Sequence, residues 1–462
     1  MTANTSIPTE LGTDNIGRLL KQYALPAIIA QTASSLYNMV DSIFIGQGVG
    51  PLAISGLAVT FPLMNLSTAF GTLVGAGAAT MLSVLLGQKN YKAANKVLGN
   101  VVSLNIIIGL LFMAVALVFI DPILYFFGAS ENTLPYAKEY ITIILIGNVV
   151  THLYFGLNAA MRSSGSPKKA MGLTIFTVVF NTILDPLFIF AFDMGIAGAA
   201  WATVIAQTLA MFVVLHHFND KSRPFHFEKG ILRLDIRVAK DSLAIGMGPF
   251  LMNAAACLVT LFINQQLRQY SGDLGIGAYG ICNRFIFMFI MICMGLNQGM
   301  QPIAGYNYGA RQYTRVREVF WKTARLATGM TTLCFLISVL IPRLATGIFT
   351  HDPELLDIAS KGLTLQNMAF PIVGFQMIAT NFFQSLGMVK KSVILSLSRQ
   401  ILFLLPLLYL LPLKFGGNGV WYSFPISDVI AFILTAILLG QLFKKFSRLK
   451  DGEDPTILGS NL

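Results

Sequence analysis

The sequence predicts an all-α integral membrane protein, with twelve transmembrane helices in two six-helix parallel-repeat lobes and a central cavity. Hydrophobic residues make up 55% of the 462-residue chain and charged residues only 11%, with a mean hydropathy of +0.68. A soluble domain is about one-quarter charged. Apolar windows of membrane-spanning length recur, and short motifs repeat at a fixed separation. Abundant glycine and phenylalanine favour closely packed helices over a transmembrane barrel.

Twelve windows of about twenty apolar residues, enough to cross a bilayer core of roughly 30 Å, predict the spans. They begin near residues 16, 52, 98, 136, 170, 195, 240, 275, 323, 358, 392 and 417. The loop charges alternate accordingly: 26 of the 32 Lys and Arg lie at the termini or after even-numbered spans. By the positive-inside rule we expect a multi-pass protein of the cell (inner) membrane with both termini cytoplasmic. The polar, acidic N-terminal residues predict no cleavable signal peptide.

Two motifs recur at one separation along the chain. GQKNY from Gly87 is similar to GARQY from Gly309, and GSPKKA from Gly165 is similar to GMVKKS from Gly387. The two pairs are equally far apart in the sequence, and we call this distance the repeat separation. The repeat predicts an N-lobe at 1–218 (helices 1–6), a basic cytoplasmic linker at 219–240 and a C-lobe at 241–462. Parallel repeats related by an axis along the membrane normal are a transporter architecture, with substrate bound near the midplane.

Ionisable residues deep within the predicted spans need an explanation, because each costs at least about 2.5 kcal/mol at the bilayer centre. They are Asp41, Asp185, Arg284 and Asp428. In the first half, polar residues accompany the acids at helical spacing: Ser34, Tyr37 and Asn38 with Asp41 on span 1, and Thr177 and Asn181 with Asp185 on span 5. Each set shares one helix face. The alternative is that the acids only satisfy contacts between helices.

Two polar faces in one half predict a shared pocket. Asp41, Asn181, Asp185 and, on span 6, Thr203 are an oxygen-rich set typical of a hard cation, so we take them as candidate cation-coupling residues and Na⁺ ligands. In a dry pocket, the two neighbouring carboxylates would instead hold a proton and titrate as a pair. The sequence leaves H⁺ and Na⁺ open. At the repeat separation the second half carries Ile263, Phe403 and Leu407, which predicts a cation site in the first half alone.

The remaining charged pair lies in the second half. Arg284 and Asp428 are predicted to form a structural ion pair, with direct substrate contact as the alternative. Pro26 removes a backbone hydrogen bond within span 1 and predicts a bend there. The four cysteines lack the spacing of a disulfide framework or a metal site, and we predict no cofactor beyond the coupling ion.

Two runs resemble the multidrug and toxic compound extrusion (MATE) family: VDSIFIGQGVGPLAISGLA from Val40 to Ala58 and QPIAGYNYGA from Gln301 to Ala310. The resemblance covers nearly the whole chain. In the branch with an N-lobe acid pair, it implies a cation site at Asp41, Asn181, Asp185 and Thr203, with Tyr37 and Asn158 as further pocket positions. Another branch uses acids on helices 7 and 10, but GMGPFLMNAAACLVTLFIN and FPIVGFQMIATNFFQS contain none.

The resemblance implies antiport, in which H⁺ or Na⁺ moves inward and an amphipathic, often cationic organic compound moves outward. The partners expected are small organic substrates and membrane lipids, with no nucleic acid and no obligate protein partner.

One rival function is that of a lipid-linked oligosaccharide flippase of the same superfamily. Its cavity would be rich in Arg and Lys, whereas only Arg284 lies at cavity depth here. A membrane enzyme would need a nucleophile with a base or an acid cluster, which the sequence lacks. A passive channel fits poorly with a repeat whose two halves differ in charge.

Overall fold

The structure is a computed structural model that describes residues 9–223, 225–227, 230, 233–350 and 352–453. Within these residues the chain is helical and contains no strand. A short helix α1 (Glu10–Thr13) precedes the spans. Spans 1 to 6 are α2 (Ile16–Gly48), α3 (Pro51–Gly87), α4 (Tyr91–Val118) with the short α5 (Ile120–Phe126), the pair α6 (Leu134–Ile146) and α7 (Asn148–Ser163), α8 (Pro167–Ala191) and α9 (Gly195–Asn219).

The second half repeats this order. Spans 7 to 12 are α10 (Ile236–Gly272), α11 (Leu274–Gly309), α12 (Tyr313–Leu340) with the short α13 (Pro342–Gly347), the pair α14 (Pro353–Gln366) and α15 (Phe370–Ser385), α16 (Val389–Phe415) and α17 (Gly417–Phe446). Gly272 has non-helical backbone angles and separates α10 from α11. The prediction of an all-helical protein with twelve spans is therefore confirmed.

The helix boundaries differ from the predicted ones where polar residues belong to a helix. Span 9 was predicted from residue 323, yet α12 begins at Tyr313. The prediction began too late because the first turns of α12 carry Arg315, Arg317 and Lys322 and are too polar to be recognised as a membrane span. Span 4 was predicted as one helix, but α6 and α7 meet at an angle of 54°.

The repeat is visible in the backbone. Positive φ angles recur at the repeat separation: Gly50 (119°) and Gly272 (63°), Lys89 (59°) and Arg311 (59°), and Gly165 (92°) and Gly387 (71°). A positive φ is uncommon for Lys or Arg, so its recurrence at Lys89 and Arg311 indicates the same turn in both halves. The backbone thus supports the interpretation of the two halves as repeats of one fold.

The chain forms two compact units. The first contains residues 29–250 and the described residues up to Thr13, and the second contains Asp14–Ile28 and the chain from Leu251. Both divisions fall inside a helix, after Ile28 in α2 and after Phe250 in α10, again at the repeat separation. The predicted lobes placed all of α2 in the first half and nearly all of α10 in the second, so the structure assigns the first part of each helix differently.

Close contacts at glycine join the first part of each divided helix to the unit that contains it. In the second unit, a Cβ on Gly299 of α11 would lie 2.5 Å from the backbone nitrogen of Ala24 in α2. In the first unit, a Cβ on Gly77 of α3 would lie 2.7 Å from the carbonyl carbon of Ser242 in α10. Gly77 and Gly299 are themselves equivalent in the repeat. The two units therefore use the same close backbone approach, which only glycine permits.

Candidate cation site

The first unit brings the predicted acidic residues of α2 and α8 to one place. Tyr37 and Asp41 are one turn apart on α2, and Asn181 and Asp185 are one turn apart on α8. Asp41 is 5% exposed and Asp185 0% exposed. Gly195, with φ of +59°, allows a tight turn between α8 and α9. The two helices run antiparallel from this turn, which places Thr203 of α9 level with Asn181.

The side chain of Asn181 connects the three helices. Its amide lies 2.8 Å from the Tyr37 hydroxyl and 2.9 Å from the Thr203 hydroxyl. With the amide nitrogen turned toward α8, Asn181 donates to both carboxylate oxygens of Asp185, at 2.7 and 3.1 Å, while its oxygen accepts from Tyr37 and Thr203. That orientation satisfies every polar atom of the amide. The Tyr37 and Thr203 hydroxyls are also 3.0 Å apart.

The two carboxylates lack a basic partner. Within the described residues, neither Asp41 nor Asp185 forms an ion pair with Lys, Arg or His. The Oδ1 atom of Asp41 is buried and has no hydrogen-bond partner in that part of the chain. A buried carboxylate without a partner is strongly disfavoured as an anion, so this arrangement favours a bound proton or metal cation.

Apolar side chains surround the acids on their Gly48 and Ala191 side. Ile45, Leu57, Ile189 and Ile196 form a buried cluster there together with Tyr140 of α6. Tyr140 lies within electrostatic reach of both Asp41 and Asp185. A buried apolar environment has a low dielectric constant, which strengthens the electrostatic interactions of the two carboxylates.

The backbone beside Asp185 is irregular. Pro186 follows it, and α8 continues as a π-helical segment at Leu187–Ala191. Because proline cannot donate a backbone hydrogen bond, the helix adopts a wider turn at this point. Such π-helical turns occur frequently at functional sites.

Other predicted residues lie elsewhere. Asn158 of α7 is buried, but its amide donates to the carbonyl of Ala170 at 3.2 Å, more than two turns from Asn181 along α8. The side chain of Asn38 lies outside the described part of the chain. Pro26 is buried within α2, two residues before the division between the units.

The predicted pair of Arg284 and Asp428 is wrong. Asp428 of α17, 2% exposed, accepts a hydrogen bond from Nε of Arg399 in α16 at 2.6 Å, while the Arg284 side chain is exposed. Arg399 was grouped with the loop residues because it follows the basic run at Lys390 and Lys391, but it lies ten residues inside α16. Its segment, Ser398–Leu404, is also π-helical.

The equivalent of the acid site in the second unit is apolar. Ile263 is 1% exposed and belongs to a hydrophobic core that includes Leu404 and Leu408, which flank Leu407. The second unit therefore has apolar side chains where the first unit has its acids, and a cation site in the first half alone stays a prediction. Within the described residues, no three His, Cys, Asp or Glu side chains come together as a metal site. The donor set at Asp41 and Asp185 suits a proton or Na⁺ better than a transition metal.

Three comparisons relate this arrangement to known proteins. The MatE family model matches residues 26–187 and 249–410, one match in each half. The chain is 26% identical to multidrug export protein MepA of Staphylococcus haemolyticus, over 93% of this chain and 94% of that protein. It is 27% identical to MepA of Staphylococcus aureus, over 92% and 94%.

The chain is also similar to solved structures, of which we describe two. The MATE multidrug transporter DinF-BH, solved in complex with rhodamine 6G, is 36% identical with a TM-score of 0.86, covering 93% of this chain and 96% of that one. A MATE protein solved in a bent conformation is 20% identical with a TM-score of 0.90, covering 97% and 99%. At that identity, the second similarity supports the fold alone.

Proposed function

Because the chain belongs to the MATE family, we propose that it is a cation-coupled antiporter that exports amphipathic, often cationic organic compounds in exchange for H⁺ or Na⁺. Multidrug transport across the cell membrane is the function of the family, whose members are transporters and not enzymes. The coupling ion, the antiport mode and the residues responsible are the proposal. The observation that carries it is the pair of buried carboxylates, Asp41 and Asp185, without a basic partner among the described residues.

The donor atoms define how a cation is held. Asp41 and Asp185 supply negative charge, Asn181 fixes the Asp185 carboxylate, and the hydroxyls of Tyr37 and Thr203 fix Asn181 in turn. A proton would neutralise one carboxylate, and Na⁺ would take oxygens from both acids and from the Asn181 and Thr203 side chains. Either ion would lower the negative charge of the pocket by one. A proton adds to a carboxylate without moving the surrounding groups, whereas Na⁺ would require the Asn181 amide to turn its oxygen toward the acids.

Coupling follows from a difference in affinity between two conformations. A pocket that holds H⁺ or Na⁺ carries less negative charge than the same pocket without the ion. It therefore attracts a positively charged substrate less strongly. The ion therefore stabilises the conformation with weak substrate binding, and by linkage the substrate weakens ion binding equally. Pro26 lies next to the division of α2 between the units and is the proposed bending point. The proposal places both termini in the cytoplasm, following the loop charges.

The substrate class is inferred from the charge of the pocket and from a relative. DinF-BH, 36% identical to this chain, was solved in complex with rhodamine 6G. An acidic pocket lined by Tyr37 and apolar side chains would attract an organic cation of that kind. We propose rhodamine 6G as the first substrate to test.

The test is transport of rhodamine 6G by purified protein in proteoliposomes with an imposed H⁺ or Na⁺ gradient. Asp41→Asn and Asp185→Asn should each abolish gradient-driven transport while leaving the folded protein intact, because removing a buried charge relieves desolvation and opens no cavity. Asp121→Asn is the matched control, since Asp121 forms a surface ion pair with Lys138 at 2.9 Å. Transport at the wild-type rate by either pocket variant would refute the proposed site.

A further inference from the structure

Two lysines from different helices lie close together at one end of the second unit. Lys391 is in the first turn of α16 and Lys445 in the last turn of α17, at the end that the loop charges place at the cytoplasm. Both side chains are half-buried and lie within electrostatic reach of each other. The Lys391 ammonium is also held over the ring of the buried Phe383, 5.4 Å from its centroid. Two like charges side by side are unfavourable unless an anion lies between them.

The protein does not supply that anion in the part of the chain that the structure describes. Neither lysine forms an ion pair there. The first acidic residues after α17 are engaged elsewhere: Asp451 accepts from the backbone N–H of Thr314 at 3.1 Å, and Glu453 accepts from the backbone N–H of Lys450 at 3.0 Å. The two lysines therefore form a positive site at the membrane surface that no described acid neutralises.

The first unit shows what a site of this kind holds. Lys169, equivalent to Lys391 in the repeat, lies within electrostatic reach of Arg223, which follows α9. Here the chain provides a carboxylate: Asp220 accepts from Nε of Arg223 at 3.0 Å and also lies within electrostatic reach of Lys169. The end of α17 and the residues after it, from Gln441 to Lys450, contain no Asp or Glu. An anion from outside the chain would do in the second unit what Asp220 does in the first.

The side chains around the two lysines suit a lipid better than a free anion. Ile394, three residues after Lys391 and therefore beside it on α16, is 52% exposed. Trp321 of α12 is 41% exposed and packs against Phe443, which precedes Lys445 by two residues, with ring centroids 5.8 Å apart. Exposed tryptophan is typical of the membrane–water interface. A molecule with both a phosphate and acyl chains would use the charged and the apolar surface together.

We propose that Lys391 and Lys445 bind the phosphate of an anionic lipid headgroup in the cytoplasmic leaflet. Anionic lipids give that leaflet a negative surface potential, which attracts basic residues at helix ends. Met388, which precedes α16, has no side-chain oxygen to cap the helix, so the N–H groups of the first turn would donate to the same phosphate. The headgroup would tie the beginning of α16 to the end of α17. Lipid binding at this site goes beyond the proposed antiport and does not depend on it.

The test is lipid binding to the purified full-length protein in neutral detergent, measured as the rise in its thermal unfolding midpoint with added dioleoyl-phosphatidylglycerol. We expect saturable stabilisation, and a weaker effect of dioleoyl-phosphatidylcholine, which has the same acyl chains and no net charge. Lys391→Gln combined with Lys445→Gln should raise the half-maximal lipid concentration about tenfold or more. Lys391→Arg combined with Lys445→Arg should keep it within about twofold of wild type, because arginine also binds phosphate.

Lys390→Gln combined with Lys444→Gln is the matched control, since it removes the same charge from the exposed lysine that precedes each member of the pair. It should change the half-maximal concentration less than about threefold, because salt screens the attraction of exposed charges. Equal weakening by this control would indicate general attraction to a basic surface and would overturn the proposal. Equal stabilisation by phosphatidylcholine would do the same. Equal stabilisation by inorganic phosphate at the same concentration would show that a free anion fills the site and would refute the lipid as its occupant.

Discussion

At the scale of single residues, the ion pair of Arg399 and Asp428 shows how the second unit accommodates a buried charge. The Asp428 side chain is 4% exposed and that of Arg399 30%. Removing one partner leaves the other charge buried, which costs about 3–5 kcal/mol when both are fully enclosed and less here because Arg399 is partly exposed. We expect Arg399→Ala to lower the thermal unfolding midpoint of the purified protein, and Asp428→Asn to restore part of the loss in the double variant.

Arg284 provides the control for this cycle. Its side chain is exposed, so Arg284→Ala combined with Asp428→Asn should give additive shifts in the unfolding midpoint. Additive shifts for Arg399 with Asp428 as well would contradict the pairing seen in the structure.

The residues of the acid site were predictable because helical spacing places Tyr37 beside Asp41 and Asn181 beside Asp185 on their own helices. Their interactions with partners on other helices were harder to predict. Tyr140 comes from α6, and nothing in the pattern of that span relates it to Asp41. In the sequence, Arg399 resembles the basic residues Lys390 and Lys391 that precede it. Only the structure shows that Arg399 lies ten residues inside α16.

At the scale of helices, the close approaches at glycine make a sharp prediction. A Cβ on Gly77 or Gly299 would meet backbone atoms of Ser242 or Ala24, as described above, and no change of rotamer can relieve a contact with backbone. We expect Gly77→Ala and Gly299→Ala each to destabilise this conformation by about 1–3 kcal/mol, measured as a lower unfolding midpoint.

Glycines in open space are the controls for that prediction. Gly172 and Gly280 lie within helices, and a Cβ at either position would meet no atom within 4 Å apart from the neighbouring residues and the backbone of its own helical turns. Alanine there should leave the midpoint unchanged or raise it slightly, because alanine favours the helix by up to about 1 kcal/mol. If all four variants behave alike, the close approach at Gly77 and Gly299 does not determine stability.

Helix positions followed from hydropathy, whereas helix breaks did not. The bend between α6 and α7 and the π-helical segments of α8 and α16 depend on which backbone hydrogen bonds the surrounding helices satisfy. An apolar window carries no information on that choice. Pro186 marks one of the π-helical segments in the sequence, but proline also occurs within helices without such a segment, as at Pro62 in α3.

At the scale of the whole molecule, the two halves share a backbone and differ in charge. Turns with positive φ recur at the repeat separation, yet the position of Asp41 is occupied in the second unit by the buried Ile263. The repeat and this asymmetry were both readable from the sequence. The division of α2 and α10 between the units was not, because it depends on contacts such as that of Gly299 with Ala24, which join segments far apart in the chain.

The asymmetry leads to a prediction about ion and substrate together. If neutralising the pocket disfavours a cationic substrate, raising Na⁺, or lowering pH if protons couple, should weaken equilibrium binding of rhodamine 6G to purified protein about fivefold or more. Asp41→Asn should remove that dependence, because the variant pocket can no longer change charge at this position. Fluorescence titration of the dye at two Na⁺ concentrations and two pH values measures both effects.

Asp428→Asn is the matched variant in the second unit, since Asp428 is also a buried aspartate within a span but is held by Arg399 at 2.6 Å. Its carboxylate is already neutralised by a guanidinium and has no need of an incoming cation, so the variant should keep the full ion dependence of dye binding even if its unfolding midpoint falls. The opposite pattern, with the ion effect kept by Asp41→Asn and lost in Asp428→Asn, would place the coupling site in the second unit. Loss of the effect in both variants would mean that stability, and not the charge of the first unit, controls the response.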